Sequence, residues 1–182
     1  MLSRGRILAP AVLAAAVGVL AVGCSQHGGQ PVRRVPTTWG PGYRNVEELD
    51  AHSDLAVAGR FSRNLGEQTD GSGLTRTDFE FTVTAQLSDH RGDAAGARTV
   101  LVRQLGGKGV QYGDDTLFRE GEDAVLFLQR FGPGQYTVID GPNGRFGLSG
   151  PAGDEATVSP FNDGTARFSG TLGRLGALLA RR

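Results

Sequence analysis

Cysteine is nearly absent from this chain of 182 residues, which contains only Cys24. A single cysteine excludes an internal disulfide, so packing and hydrogen bonds alone must hold the fold. Lysine and isoleucine are almost as rare, with Lys108 as the single lysine against 18 arginines and with two isoleucines in all. The sequence also lacks a Gly-x-Ser-x-Gly motif and any cluster of its three histidines, so neither a nucleophile elbow nor a zinc site is indicated.

Charge of either sign is not in excess, because 19 basic residues balance 19 acidic ones. Loss of an N-terminal leader containing Arg4 and Arg6 would leave 17 basic residues against 19 acidic ones, a net charge near −2. This overall charge gives no electrostatic reason to bind nucleic acid or anionic lipid. We therefore expect no nucleic-acid partner.

Residues 1–23 have the order of a secretory signal: a basic start, an apolar run over residues 7–22, and a small-residue end. The apolar run has 16 residues and contains Pro10, whereas a membrane-spanning helix needs roughly 20 apolar residues. The pattern therefore favours a cleaved leader over a permanent transmembrane helix.

The end of this leader, Leu-Ala-Val-Gly-Cys over residues 20–24, resembles the lipobox of bacterial lipoproteins. The resemblance implies cleavage between Gly23 and Cys24 and acylation of the Cys24 thiol, with palmitate among the acyl groups. Membrane lipid attached to Cys24 would then hold the protein on the extracytoplasmic face of the cell membrane.

Behind the cysteine, residues 24–44 are rich in Gly, Pro, Gln, Thr and Arg and predict a disordered tether. Trp39 and Tyr43 are exceptions, for which we expect contact with the folded domain. Residues 45–182 suit one domain by length.

The sequence of the domain predicts short strands with a helix at each end. Asn45 and Glu48 have the spacing of an N-cap pair and predict a helix over 45–51. Leu55, Val57, Gly59 and Phe61 alternate with alanine and polar residues and predict a half-buried strand over 55–61. The clearest alternation covers 79–87, where Phe79, Phe81, Val83, Ala85 and Leu87 share one face. The opposite face is polar, and we expect it to be a solvated outer face of the barrel; it carries Asp78, Glu80, Thr82, Thr84 and Gln86.

Further strands are predicted at 99–105, 124–131, 136–139 and 145–148, with Gly, Pro and Asn turns between them. Helical spacing near the C-terminus predicts an amphipathic helix that carries Leu172, Leu175, Leu178 and Leu179. The predicted fold class is mainly β, a small OB-like antiparallel barrel with a short N-terminal helix and a C-terminal amphipathic helix. The low strand count favours this barrel over a two-sheet sandwich.

Most of residues 46–150 resembles a group of uncharacterised actinobacterial lipoproteins with a netrin/TIMP-like barrel, which is an OB-type fold. The residues that carry the resemblance are 47–49, 53–59, 79–87, 100–107, 118–123, 126–128, 136–138 and 144–146. The disulfides of many netrin-like domains are absent. The resemblance implies a fold and an exterior location, and no activity.

Candidate sites are weak. Five acids over residues 114–123 could offer oxygen ligands to calcium, but their spacing does not match a calcium loop. We predict that this segment is a structural turn in which Leu117 and Phe118 close one end of the barrel and the acids remain in water. We expect no metal, no cofactor and no catalytic residues.

These observations favour a membrane-tethered, non-enzymatic binding or interaction module with an unknown protein or small-molecule partner. The alternative is an inhibitor or accessory subunit of an envelope enzyme, which would present a stiff exposed loop or a free strand edge. An enzyme, the third reading, would require His52 or His90 beside a carboxylate in a pocket. An apolar concavity would favour a ligand-binding module.

Overall fold

The computed structural model describes residues 32–40, 42–92 and 94–181. The predicted leader, with Gly23 and the lipidation site Cys24, lies outside the described residues. No described helix is long and apolar enough to cross a membrane. The strands are β1 Arg33–Val35, β2 Leu55–Thr69, β3 Thr75–Asp89, β4 Thr99–Leu105, β5 Val110–Tyr112, β6 Asp123–Gly132, β7 Gln135–Val138, β8 Arg145–Ser149, β9 Thr157–Pro160 and β10 Gly170–Thr171. The α-helices are α1 Val46–His52 and α2 Leu172–Leu179.

Five strands close into a barrel, which confirms the predicted mainly β, OB-like fold. Around the barrel the order is β2, β3, β4, β7, β6 and back to β2. All pairings are antiparallel except the one between β4 and β7, where Val102 lies opposite Tyr136 in a parallel register. This is the Greek-key order of an OB-type barrel.

The long β2–β3 hairpin curves around the barrel because its register shifts repeatedly. The shifts fall between Ala56 and Val57, Ala58 and Gly59, Phe61 and Arg63, and Asn64 and Gly66. Such bulges increase the local twist and bend the strands. Gly59 is required at the tightest point, since a Cβ there would lie 2.0 Å from the carbonyl oxygen of Thr82.

Aromatic rings fill the barrel interior. Phe61 stacks on Phe118 with ring centroids 4.2 Å apart and meets Phe79 and Phe81 edge-on at 5.7 and 4.9 Å. Phe79 and Phe81 are fully buried, whereas Thr82 on the opposite face is exposed. The faces predicted for β3 are correct for Phe79, Phe81 and Val83, which pack in the barrel, but wrong for Ala85 and Leu87, which pack against a second core outside it. Asp78, predicted to face solvent, is buried and ion-paired with Arg103.

A second core lies outside the barrel wall, where β8, β9 and both helices cover β2 and β6. Residues 124–128 of β6 are all fully buried because the strand has a core on each side. Leu126 belongs to the barrel interior, and Phe127 packs into the outer core beside Phe146. Leu172, Leu175 and Leu179 attach α2 to the outer core, as the predicted helical spacing requires.

The predicted N-terminal helix is confirmed with its cap. The side-chain oxygen of Asn45 accepts from the backbone NH of Glu48 at 2.8 Å, and α1 begins at the next residue, Val46. The Glu48 carboxylate departs from a full capping box, since it accepts from the backbone NH of Arg44 at 2.9 Å rather than from that of Asn45.

The predicted tether is too long, because part of residues 24–44 is folded against the domain. β1 pairs in parallel with β5, and the indole NH of Trp39 donates to Asp114 at 3.0 Å. Tyr43 packs against the outer core. The expected contacts of Trp39 and Tyr43 are therefore confirmed. Sequence pattern missed β1 because a three-residue edge strand has too few positions to show alternation.

Candidate functional site

A groove of about 580 Å³ lies beside the barrel wall. We name it the lateral groove. One wall is the outer face of β2 and β3, and the other is the segment that leaves β8 and leads into α2. The lining residues are Gly59, Arg60, Ser62, Thr82, Thr84, Ala85, Asp123, Leu148, Ser149, Gly150, Pro151, Ala152, Gly153, Asp154, Ala156 and Leu172.

The floor of the lateral groove is apolar and its rim is polar. Leu148 and Leu172 pack on the outer core and present their remaining surface to the groove. On the rim, Arg60 holds Asp123 through two hydrogen bonds of 2.8 and 2.7 Å. These bonds lower the pKa of the Asp123 carboxyl. The exposed hydroxyl group of Thr82 completes the rim.

Sequence reasoning did not find this groove. Thr82 and Thr84 are exposed on the outer barrel face, as predicted, and there they also line the groove. The missing signal is the second wall, residues 148–156, because its loop and single turn carry no periodicity. A pattern of alternation identifies one face of a strand but cannot show what stands opposite it.

The histidines do not form a catalytic arrangement in the described part of the chain. Nε2 of His90 lies 3.0 Å from Oδ2 of Asp50, and the Ser88 hydroxyl donates to the other oxygen of the same carboxylate. A serine nucleophile needs its hydroxyl beside the imidazole, whereas Ser88 is bound to the acid. Asp50 is fully buried, so this cluster fastens α1 to the end of β3.

His52 does not line the lateral groove either. Nδ1 of His52 lies 2.8 Å from the backbone carbonyl oxygen of Glu48, and its ring packs against Tyr43 at 5.4 Å. His27 lies outside the described residues. Histidine and a carboxylate do therefore meet, at His90 and Asp50, but not in the pocket that an enzyme would require.

The acidic segment 114–123 is partly as predicted. Phe118 does plug the barrel end, where it is 4% exposed and stacked on Phe61, and Leu117 packs at its side. The prediction that the acids remain in water is correct for Asp114 and Glu120, which are exposed, and wrong for Asp115 and Glu122. Glu122 pairs with the buried guanidinium of Arg145, and Asp115 is 5% exposed.

The remaining acids of the segment are bound as well. Asp114 accepts from Trp39 and, at 3.1 Å, from the amide of Asn162. Glu120 accepts from the backbone NH of Asn64 at 2.7 Å. The acids therefore act as acceptors that attach this segment to Trp39, to Asn162 and to strands β2 and β8, a role that a charge run does not reveal in sequence.

Asp115 is the most deeply buried acid of the segment. Its Oδ1 atom is buried and has no hydrogen-bond partner among the described residues. Burial raises the pKa of Asp115 to about 6, against the opposing influence of Gln104 and Arg145. A perturbed carboxyl is a common mark of a functional site. However, the cavity that Asp115 lines beside Trp39 measures only about 50 Å³, which is too small for a substrate, and the concavity of about 320 Å³ that it also lines holds no second carboxylate and no histidine.

No group of three or more His, Cys, Asp or Glu side chains that could hold a metal ion is gathered within residues 32–40, 42–92 and 94–181. No protein-family model matches the chain, and no curated protein matches its sequence. The role of the lateral groove therefore has to be inferred from its geometry alone.

Proposed function

We propose that the chain is a membrane-tethered extracytoplasmic lipoprotein whose barrel domain is a non-enzymatic binding module. Lipid on Cys24 holds it at the cell membrane, and the lateral groove receives the ligand. The observation that carries the binding role is the groove itself, with a volume of about 580 Å³. Sites for small molecules commonly occupy roughly 300–1,000 Å³ and combine apolar walls with a few polar groups.

The lining favours an uncharged ligand with an apolar body. Leu148, Ala156 and Leu172 offer apolar surface, and the Thr82 hydroxyl offers a hydrogen bond. The charges of Arg60 and Asp123 already neutralise each other across 2.7 Å, so Asp154 carries the one remaining charge in the lining, which disfavours an anionic ligand. We therefore propose a small neutral amphipathic molecule as the ligand class.

Nucleic acid does not fit the same surface. Single strands bind to OB-type barrels through a positive groove with aromatic rings for stacking. The lateral groove has no aromatic side chain in its lining, and its one arginine is paired.

The OB-type order of the barrel strands supports membership of the netrin/TIMP-like lipoproteins, and that membership remains a proposal.

An inhibitor or accessory subunit of an envelope enzyme is the second proposal, and the tip of the β2–β3 hairpin favours it. Oδ1 of Asp70 accepts from the backbone NH groups of Ser72 and Leu74 at 3.0 and 3.1 Å. Arg76 holds the other oxygen of Asp70. This loop is therefore stiff and largely exposed, as an inhibitory loop would be.

Filling the lateral groove tests the first proposal. Ala152 is exposed on the groove wall, so Ala152→Trp should occupy the groove without disturbing a core. We expect the mature chain to bind N-phenyl-1-naphthylamine, a neutral amphipathic fluorophore, and Ala152→Trp to weaken that binding at least about tenfold. Ala95→Trp, at an exposed site elsewhere, is the matched control. Equal binding by all three proteins would refute the groove as the ligand site.

The anchor is tested separately. Cys24→Ser in the full chain should abolish incorporation of labelled fatty acid and release the protein from the membrane fraction. Equal labelling of the two proteins would refute the anchor and leave the groove proposal standing.

A further inference from the structure

A second concavity of about 390 Å³ lies between α1, α2 and the segment before α2. We name it the arginine groove, because Arg167, Arg174 and Arg181 line it together. All three arginines are exposed. A backbone bridge between Asn45 and Arg167 joins the two sides of the groove. The arrangement therefore belongs to the fold and not to a loose terminus.

These arginines differ from several other exposed arginines of the protein, which are paired with carboxylates. Arg44, Arg60 and Arg63 each hold a carboxylate at 2.7–3.0 Å. Among the described residues, no carboxylate pairs with any of the three guanidinium groups of the arginine groove. The one acid in the lining is Glu47. The neighbouring Glu48 is already paired with Arg44. The groove therefore carries an excess of positive charge.

The dipole of α2 accounts for the position of only one of these three arginines. Arg181 follows the last residue of α2, where a cation complements the helix dipole. Arg174 lies within the helix, and Arg167 precedes it. Their convergence on one groove is therefore not a consequence of the helix dipole.

The floor of the groove is apolar. Phe168 and Leu178 are half-buried there, and both also pack on the outer core. Cations around an apolar floor suit an anion that is attached to an apolar body. The headgroup region of a bilayer has this composition, with phosphate above the beginning of the acyl chains.

We propose that the arginine groove docks on the anionic phospholipid headgroups of the membrane that carries the anchor. This inference rests on the proposed lipidation of Cys24, because an anchored domain needs only a small bias to select one orientation. Each basic residue near an anionic surface contributes about a fivefold preference. Three arginines together would therefore favour this orientation about a hundredfold.

The net charge near −2 of the mature sequence predicted no attraction to anionic lipid. A net charge averages over the whole surface, whereas docking depends on the charges within about 10 Å of the lipid at moderate salt. The lateral groove is a separate concavity with different lining residues and need not face the bilayer. Docking and ligand binding are thus independent.

The test uses the mature chain with Cys24→Ser, so that no acyl chain contributes to binding. Sedimentation at low ionic strength compares vesicles of equal parts phosphatidylglycerol and phosphatidylcholine with vesicles of phosphatidylcholine alone. We expect binding to the anionic vesicles only, lost at high salt and weakened at least about tenfold by Arg174→Glu/Arg181→Glu.

Two further variants make the result specific. Arg174→Lys/Arg181→Lys keeps the charge and should retain binding. Lys108→Glu/Arg119→Glu makes the same charge change at exposed residues elsewhere and should also retain it. Absence of anionic vesicle binding, or an equal loss in the groove and control variants, would overturn the proposal.

Inorganic phosphate provides a last comparison. Saturable stabilisation of the chain by phosphate without vesicle binding would assign the groove to a soluble anion and would also overturn the proposal. Loss of labelled fatty acid in Cys24→Ser is measured independently, so failure of the anchor and failure of the docking surface give different results.

Discussion

Replacing Asp115 with asparagine should stabilise the protein at neutral pH. The side chain is 5% exposed, and its Oδ1 atom lacks a partner among the described residues. Asparagine has nearly the same shape and carries no charge. The substitution therefore removes the cost of a buried carboxylate while leaving the surrounding packing almost unchanged.

The magnitude follows from the pKa of Asp115, which burial raises from 3.8 to about 6. The folded state thus binds the Asp115 proton more tightly than the unfolded state. The extra stability that this bound proton gives the folded state is fully present below about pH 4 and is lost as the pH rises through about 6. The pKa difference corresponds to about 3 kcal/mol of unfolding free energy.

Urea unfolding at several pH values measures this effect. We expect Asp115→Asn and the wild type to have similar unfolding free energies near pH 4. At pH 7.5 the variant should be more stable by about 2–3 kcal/mol. Asp114→Asn is the control, because it removes the adjacent charge and keeps an oxygen that can accept from Trp39. A pH-independent difference, or the same gain in both variants, would refute the reasoning.

Three further perturbations address the barrel and the acidic segment. Phe81→Ala should cost about 3–5 kcal/mol in urea unfolding, as a buried aromatic truncation does, while Thr82→Ala should change little; comparable losses would mean that the strand faces are misassigned. Gly59→Ala should lower the melting temperature by many degrees, because its Cβ would meet the Thr82 carbonyl oxygen at 2.0 Å, and an unchanged melting temperature would show that the hairpin can relax there. Millimolar calcium, compared with EDTA, should leave the melting temperature unchanged; a rise of several degrees that disappears in Asp114→Asn/Asp115→Asn would contradict a structural role for residues 114–123.

The sequence predicted the elements whose residues alternate over enough positions to be read. β4 was predicted at its observed bounds, Thr99–Leu105, and β6, β7 and β8 were predicted within one residue at each end. Local chemistry was equally informative for α1, where the cap of Asn45 is satisfied within three residues. These features depend on neighbours in the chain and are therefore accessible without the fold.

Features that depend on distant partners were not predicted. β2 continues to Thr69, beyond the alternation that ends at Phe61, because the opposite strand β3 supplies its hydrogen bonds. The parallel pairing of β4 with β7 leaves no mark in either segment. The lateral groove was missed for the same reason, since its walls come from β2, β3 and a loop beyond β8.

The acidic segment shows the limit most clearly. Its five acids resemble a solvated run, yet Arg145 and Trp39, from distant parts of the chain, bind two of them. A run of acidic residues indicates solvent exposure only when the fold brings no cation or hydrogen-bond donor to the carboxylates. That partner is supplied by the tertiary fold, which the pattern does not contain.

The double burial of β6 has a consequence for how the domain opens. Leu126 faces the barrel interior and Phe127 the outer core, and the strand pairs with β2, β7 and β8. Neither core can open at this strand without exposing the apolar surface of the other. The backbone amides of residues 124–128 should therefore exchange with deuterium only through global unfolding. Those of β1, whose one strand partner among the described residues is β5, should exchange through local fraying.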